Sequence, residues 1–210
     1  MGTLVPADLP LSSLANDEER QVVAALCDGL SDGWLVLPHV QLRGRGRDHE
    51  LDVVLVHPDH GVADIEVKGH PVQVREGLWC GRDGHPLDPQ PFDQARKNAY
   101  ALRDELRAAA SCLRHLHGEH AVALPNTSGF DGDLPPGCER VQVLTAPDLL
   151  EVSDAVVDLM SARWSNQRLT TAQVEAIVGH LRPDAAFRWD PAARMRQARH
   201  RLDELGAEQV

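Results

Sequence analysis

Leu51-Asp52-Val53-Val54-Leu55-Val56, then His57-Pro58-Asp59-His60-Gly61, then Val62-Ala63-Asp64-Ile65-Glu66-Val67-Lys68: two apolar runs flank a turn-rich segment. Apolar, largely β-branched runs on either side of Pro, Asp and Gly read as a β-hairpin. Residues i and i+2 of a strand share a face, so Glu66 and Lys68 present a carboxylate and an ammonium side by side. Lysine is scarce here, with two lysines against nineteen arginines in 210 residues. Residues paired across an antiparallel hairpin have numbers with a constant sum, and centring the turn on Asp59 sets Asp52 opposite Glu66. Their Cβ atoms are then roughly 4.5–5.5 Å apart. A one-residue slip of the turn would undo the pairing.

Two carboxylates that close repel each other unless a proton or a cation lies between them. Hard oxygen donors suit Mg²⁺ or Mn²⁺, so the spacing alone points to a metal-dependent hydrolytic site. The competing reading of Glu66 and Lys68 is a surface salt bridge on an exposed sheet face. Asp52 fits that reading less well, because a carboxylate among apolar neighbours is costly to bury without a partner. Upstream, apolar positions 22, 23, 26 and 30 form one helical stripe on which Glu19 lies and Glu18 does not. Both acids also suit an ordinary first helical turn behind an Asn16 or Asp17 cap. Asp64 shares the Glu66 face and reads as a solvated or structural acid, with an accessory ligand as the alternative.

Taken in order, Glu19 within Asp17-Glu18-Glu19-Arg20, Asp52, the Glu66-Val67-Lys68 triplet and Gln94 within Pro91-Phe92-Asp93-Gln94-Ala95 resemble the NERD (nuclease-related) domain. That domain is a branch of the PD-(D/E)xK nuclease superfamily. The resemblance runs from about residue 16 to 106 and includes Trp79 after the Glu-x-Lys strand. Leu51 stands where the superfamily signature has proline. The resemblance implies an α/β fold, a restriction-endonuclease-like three-layer sandwich with a mixed central sheet followed by a helical C-terminal part. It implies that Asp52 and Glu66 hold the divalent cation and that Glu19 supplies an outer or second-metal ligand. Lys68 would orient or help deprotonate the attacking water and stabilise charge on the phosphate, and Gln94 would position the water or the lysine. Such domains are often fused to helicase or kinase modules. A longer natural protein, or a helicase or kinase module in the same system, is therefore expected, as is a role in prokaryotic DNA processing or antiphage defence.

Composition sets the surroundings. The chain is 42% hydrophobic and 25% charged, as a soluble globular protein is. No run approaches the roughly eighteen apolar residues of a membrane span, and residues 1–14 lack the pattern of a signal peptide, so a cytoplasmic location is the default. Cys27, Cys80, Cys112 and Cys138 show no C-x-x-C spacing, and read as packed thiols. His115, His117 and His120 fall in a polar stretch joining a helix to a strand and do not read as a zinc site. His57 and His60 read as exposed turn residues. A net charge of −11 is unfavourable for DNA, whose affinity comes from cationic neutralisation of phosphate. The one basic cluster before the Asp52 strand, Arg43-Gly44-Arg45-Gly46-Arg47, is the candidate backbone contact. Cutting both strands with one site per chain would commonly require two protomers, so a homodimer is the expected assembly. The alternative function is a catalytically weak module of the same fold that binds DNA or a partner protein.

Patterning gives a helix over 17–30, a strand over 34–41, the hairpin, a second hairpin over 72–80 and a long helix over 92–111. Apolar runs at 121–125 and 140–145, each next to a helix, would add parallel strands. Helices follow over 147–151, 153–164, 171–181 and 191–206, with Thr170-Thr171 offering a cap and Arg182-Pro183 a stop. The last carries Arg194, Arg196, Arg199 and Arg201 on what reads as a solvated face or linker. The expected organisation is an N-terminal extension (1–15), a nuclease-like domain (16–146), and a helical extension or linker to a further module (147–210).

Overall fold

A computed structural model describes residues 1–43, 48–162 and 167–185. Its strands are β1 (Thr3–Leu4), β2 (Leu35–Arg43), β3 (Asp48–His57), β4 (Gly61–Val67), β5 (Val72–Arg75), β6 (Leu78–Gly81), β7 (Gly118–Leu124) and β8 (Val143–Thr145). Helices among the described residues are α1 (Asp17–Gly29), α2 (Pro91–Ala109), α3 (Ala146–Leu150), α4 (Val152–Ser161) and α5 (Thr171–Leu181).

The hairpin forms in the expected register. β3 and β4 pair antiparallel from His57 opposite Gly61 to Val53 opposite Ile65, which places Asp52 and Glu66 one step beyond the last pair. β4 then pairs in parallel with β7, and β7 with β8, as the apolar runs before and after residues 126–138 suggest. With β2 antiparallel to β3 and β1 parallel to β2, the six-stranded mixed sheet has the order β1-β2-β3-β4-β7-β8. β5 and β6 form a separate two-stranded hairpin.

Alternation along β3 feeds two cores. Val53 and Leu55 join Val22, Val23 and Leu26 of α1 and Val156 and Leu159 of α4 on one face. Val54 and Val56 join Leu102 and Leu106 of α2 and Ile177 and Leu181 of α5 on the other. The result is a sheet between two helical layers, a three-layer sandwich whose C-terminal helices belong to both outer layers. Because β4 has a strand on each side and helices over both faces, all seven of its residues are buried.

Local chemistry sets the element ends. Asn16 caps α1 by accepting the Glu19 N–H at 2.8 Å, while Asn16 Nδ2 donates to Glu19 Oε1 at 2.7 Å. Pro91 opens α2, where its missing N–H costs nothing. Thr170 and Gln173 form a capping box on α5. Three expectations are corrected. The 140–145 run is only half strand, because the Glu139 and Gln142 side chains cap each other across a 3-10 turn at Arg140–Gln142. His120 lies inside β7, buried against Phe92 with ring centroids 5.1 Å apart. His57 is buried and His60 half-buried, since both rings pack on the Trp34 indole, at 4.7 and 5.3 Å. Arg45, Arg47, Trp164 and the helix expected over 191–206 lie outside the described residues.

Candidate active site

Asp52 and Glu66 meet where the β3–β4 ladder ends. Asp52 Oδ2 accepts the Val67 N–H at 2.7 Å, so the carboxylate takes the place of a strand carbonyl. Glu66 is 1% exposed and has a donor at each oxygen. Lys68 Nζ donates to Oε1 at 2.5 Å, and Asn98 Nδ2 approaches Oε2 at 3.4 Å. The lysine backbone is fixed as well, its N–H donating to Ala123 O at 2.9 Å where β4 leaves the sheet.

From α2, Gln94 Oε1 stands 3.4 Å from Lys68 Nζ. Asn98, one turn later on the same helix and 5% exposed, also donates to the Glu50 carbonyl at 3.0 Å. Spacing of i and i+4 puts both amides on one helical face. From the opposite layer comes Glu19, 7% exposed and held by Asn16. Glu18 instead points to Asn126, which bridges it at 3.2 Å to the Gly69 carbonyl at 2.9 Å. Arg43 ends β2, exposed and opposite Asp48. The structure thus brings Asp52, Glu66, Lys68 and Gln94 together, places Glu19 near enough to act electrostatically on both acids, and leaves Arg43 at the far end of β2.

Electrostatics at this locus are those of crowded, desolvated acids. Burial pushes the Asp52 carboxyl up to about 6; Glu19 and Glu50 add to this, while the Val67 N–H and Lys68 oppose it. Glu66 is raised to about 7, first by burial and then by Asp52, with Lys68 pulling the other way. Asp64, 0% exposed, is raised well above the carboxylate range by burial and then by Glu66 and Asp52. Neither Asp64 oxygen has a hydrogen-bond partner, so of the solvated and structural readings of this acid the solvated one is excluded. Among the described residues, no group of three or more His, Cys, Asp or Glu side chains is gathered closely enough to hold a metal ion. The donor set nevertheless suits a hard divalent cation. Two carboxylates, when both are ionised, carry more negative charge than Lys68 balances, and Mg²⁺ is commonly held by one or two carboxylates with water and phosphate oxygens completing its shell.

Asn98 is the member of this constellation that sequence reasoning did not pick out. The signal was its position four residues after Gln94.

A family model described as nuclease-related domain (NERD) matches residues 14–125, more than half of the chain. The comparisons with curated proteins and with solved structures give no match. The matched span begins just before the Asn16 cap, ends just after β7, and contains every element that brings a side chain to the Asp52–Glu66–Lys68 locus. The chain belongs to the nuclease-related domain family.

Proposed function

We propose that this protein is a Mg²⁺- or Mn²⁺-dependent nuclease that hydrolyses DNA phosphodiester bonds, as an endonuclease or nickase. The observation that carries the reading is the convergence of Asp52, Glu66 and Lys68, with both acids raised by burial, Glu66 raised further by Asp52, and the lysine 2.5 Å from Glu66. Buried acids with raised pKa values beside a specific charge partner are a physical signature of a candidate functional site. Asp52 and Glu66, with Glu19 as an outer ligand, would hold the cation, which when bound supplies a more acidic water and compensates charge on the phosphate. Lys68, its side chain 20% exposed, is the chain's own cation for the non-bridging phosphate oxygens and for orienting the attacking water. Gln94 positions the ammonium, and Asn98 restrains the Glu66 oxygen that Lys68 does not occupy.

A second reading, a module of this fold that binds DNA or a partner protein and hydrolyses little, is favoured by the net charge of −11. We place the protein in DNA processing or antiphage defence in a prokaryotic cytoplasm, working with a helicase or kinase module and as a homodimer when both strands are cut. No helix among the described residues is long and apolar enough to cross a membrane. The test is DNA cleavage by Asp52→Ala and Lys68→Ala, with circular dichroism verifying that both fold. Loss of metal-dependent cleavage in both supports the nuclease reading; wild-type activity in either refutes the assignment.

A further inference from the structure

Beside the Glu66–Lys68 pair, a cleft of about 160 Å³ opens between the start of β3 and the first turns of α2. Asp48, His49, Glu50, Gln94, Lys97 and Asn98 line it. Two of these residues are shared with the reacting locus: Gln94 touches Lys68 and Asn98 touches Glu66. A chain seated in the cleft is therefore continuous with whatever Lys68 faces. We propose that this cleft binds the sugar–phosphate backbone of a DNA strand next to the scissile phosphate, with Lys97 and His49 as its contacts. The assignment rests on the nuclease-related reading of the Asp52–Glu66–Lys68 locus.

Three observations support it. Lys97 is the other of only two lysines in the chain, so both stand at this one location. It is exposed and makes no ion pair among the described residues, unlike its neighbour Arg96, which is bonded to Asp93 at 2.7 Å. An unpaired ammonium beside a phosphoryl-transfer locus is a point charge available to phosphate.

The second observation is the orientation of His49. Asn98 directs its amide nitrogen to two acceptors, the Glu50 carbonyl and Glu66 Oε2. Its Oδ1 therefore faces His49 Nδ1 at 3.0 Å, and since an amide oxygen only accepts, Nδ1 carries the hydrogen. Nε2 remains as the ring's other polar atom in a residue that lines the cleft. The Glu66 carboxylate thus orients, through Asn98, a histidine on the cleft wall.

The third is the disposition of acid. Glu50 Oε1 lies 3.2 Å from His39 Nδ1, an ion pair only when that imidazole is protonated, and Asp48 makes no ion pair among the described residues. Asp48 faces Arg43 across the β2–β3 ladder, so the cleft reaches the ends of those two strands.

The experiment is fluorescence anisotropy of a labelled single-stranded deoxyoligonucleotide with the full chain, in EDTA so that no cleavage intervenes, over a range of salt. Lys97→Ala is expected to weaken binding about three- to tenfold at low salt. It should also flatten the slope of log affinity against log salt by about 0.7, the value for one phosphate contact to a single strand. Asp48→Asn is expected to tighten binding two- to threefold. Arg168→Ala removes a charge beside Asp59, in the hairpin turn at the other end of β3, and should leave affinity and slope at wild-type values. Equal affinity and slope for Lys97→Ala and Arg168→Ala would overturn the cleft assignment, as would a wild type that binds no oligonucleotide. Displacement of the oligonucleotide by an equimolar amount of inorganic phosphate would overturn the strand and leave a lone-phosphate site. Binding through Lys97 without cleavage in Mg²⁺ or Mn²⁺ supports the cleft and contradicts the nuclease reading; cleavage with binding indifferent to Lys97 does the reverse.

Discussion

Replacing Asp52 by Asn should stabilise the metal-free protein, although it removes a proposed ligand. The folded protein holds the Asp52 carboxyl near pH 6 instead of 3.8. At about 1.4 kcal/mol per unit, an ionised Asp52 costs the fold at most about 3 kcal/mol. The amide oxygen of Asn keeps the acceptor for the Val67 N–H while the charge is lost. Solvent relaxation and the loss of attraction to Lys68 reduce the net gain to about 1–2 kcal/mol, or about 2–8 °C in melting temperature for a chain of this size. The sign depends on pH. Between about pH 4 and 6 the folded chain binds a proton that the unfolded chain has released, so wild-type stability falls as pH rises through that window and the penalty is complete above it. Urea denaturation near pH 8 should therefore favour the Asp52→Asn variant, and near pH 4 the two proteins should be nearly equal. Saturating Mn²⁺ should reverse the order at pH 8, since a ligand at about a hundred times its Kd adds about 2.7 kcal/mol to the form that binds it, more than the variant gains. A variant less stable than wild type at pH 8, or a gain of the same size at both pH values, would refute this account of the acids.

Asn98→Ala leaves Glu66 Oε2 and the Glu50 carbonyl without that donor in a buried setting, and should cost about 1–3 kcal/mol in chemical denaturation. Gly29→Ala would bring a Cβ to 2.5 Å from Val152 Cγ1, forcing α1 and α4 apart at a cost of about 1–3 kcal/mol; a neutral result would contradict the packing of α4 in the same core. Metal affinity, read by calorimetry, should weaken as pH falls from about 7 to about 6, because Glu66 and Asp52 then take up protons that compete with the cation.

What could be read from the sequence was what depends on local pattern. The hairpin register followed from one turn, because a two-residue period leaves few ways to bury Val53, Leu55 and Ile65 together. The α1 stripe pointed to Glu19 over Glu18, and the Thr170 cap marked the start of α5. What was missed depends on which surface covers which. Asp64 on the Glu66 face read equally as a solvated or a structural acid, and only the packing of α2 over that face leaves it fully buried. The histidines of the turn looked exposed because nothing local announces that Trp34, over twenty residues earlier, offers its ring to them. Asn98 was overlooked because a polar residue in an amphipathic helix has no distinctive signature until the strand it faces is known. The short β8 followed from a side-chain cap, Glu139 with Gln142, that competes with the ladder for the same backbone groups.

If the acids and lysine at the end of β3 and β4 make a metal-dependent phosphodiesterase, supercoiled plasmid and single-stranded DNA incubated with the wild type in Mg²⁺ or Mn²⁺ should be nicked or cleaved. Cleavage should be absent in EDTA and absent with the folded Glu66→Ala variant. Cleavage that survives EDTA or the loss of Glu66 would contradict that assignment, as would a wild type that neither cuts DNA nor binds metal.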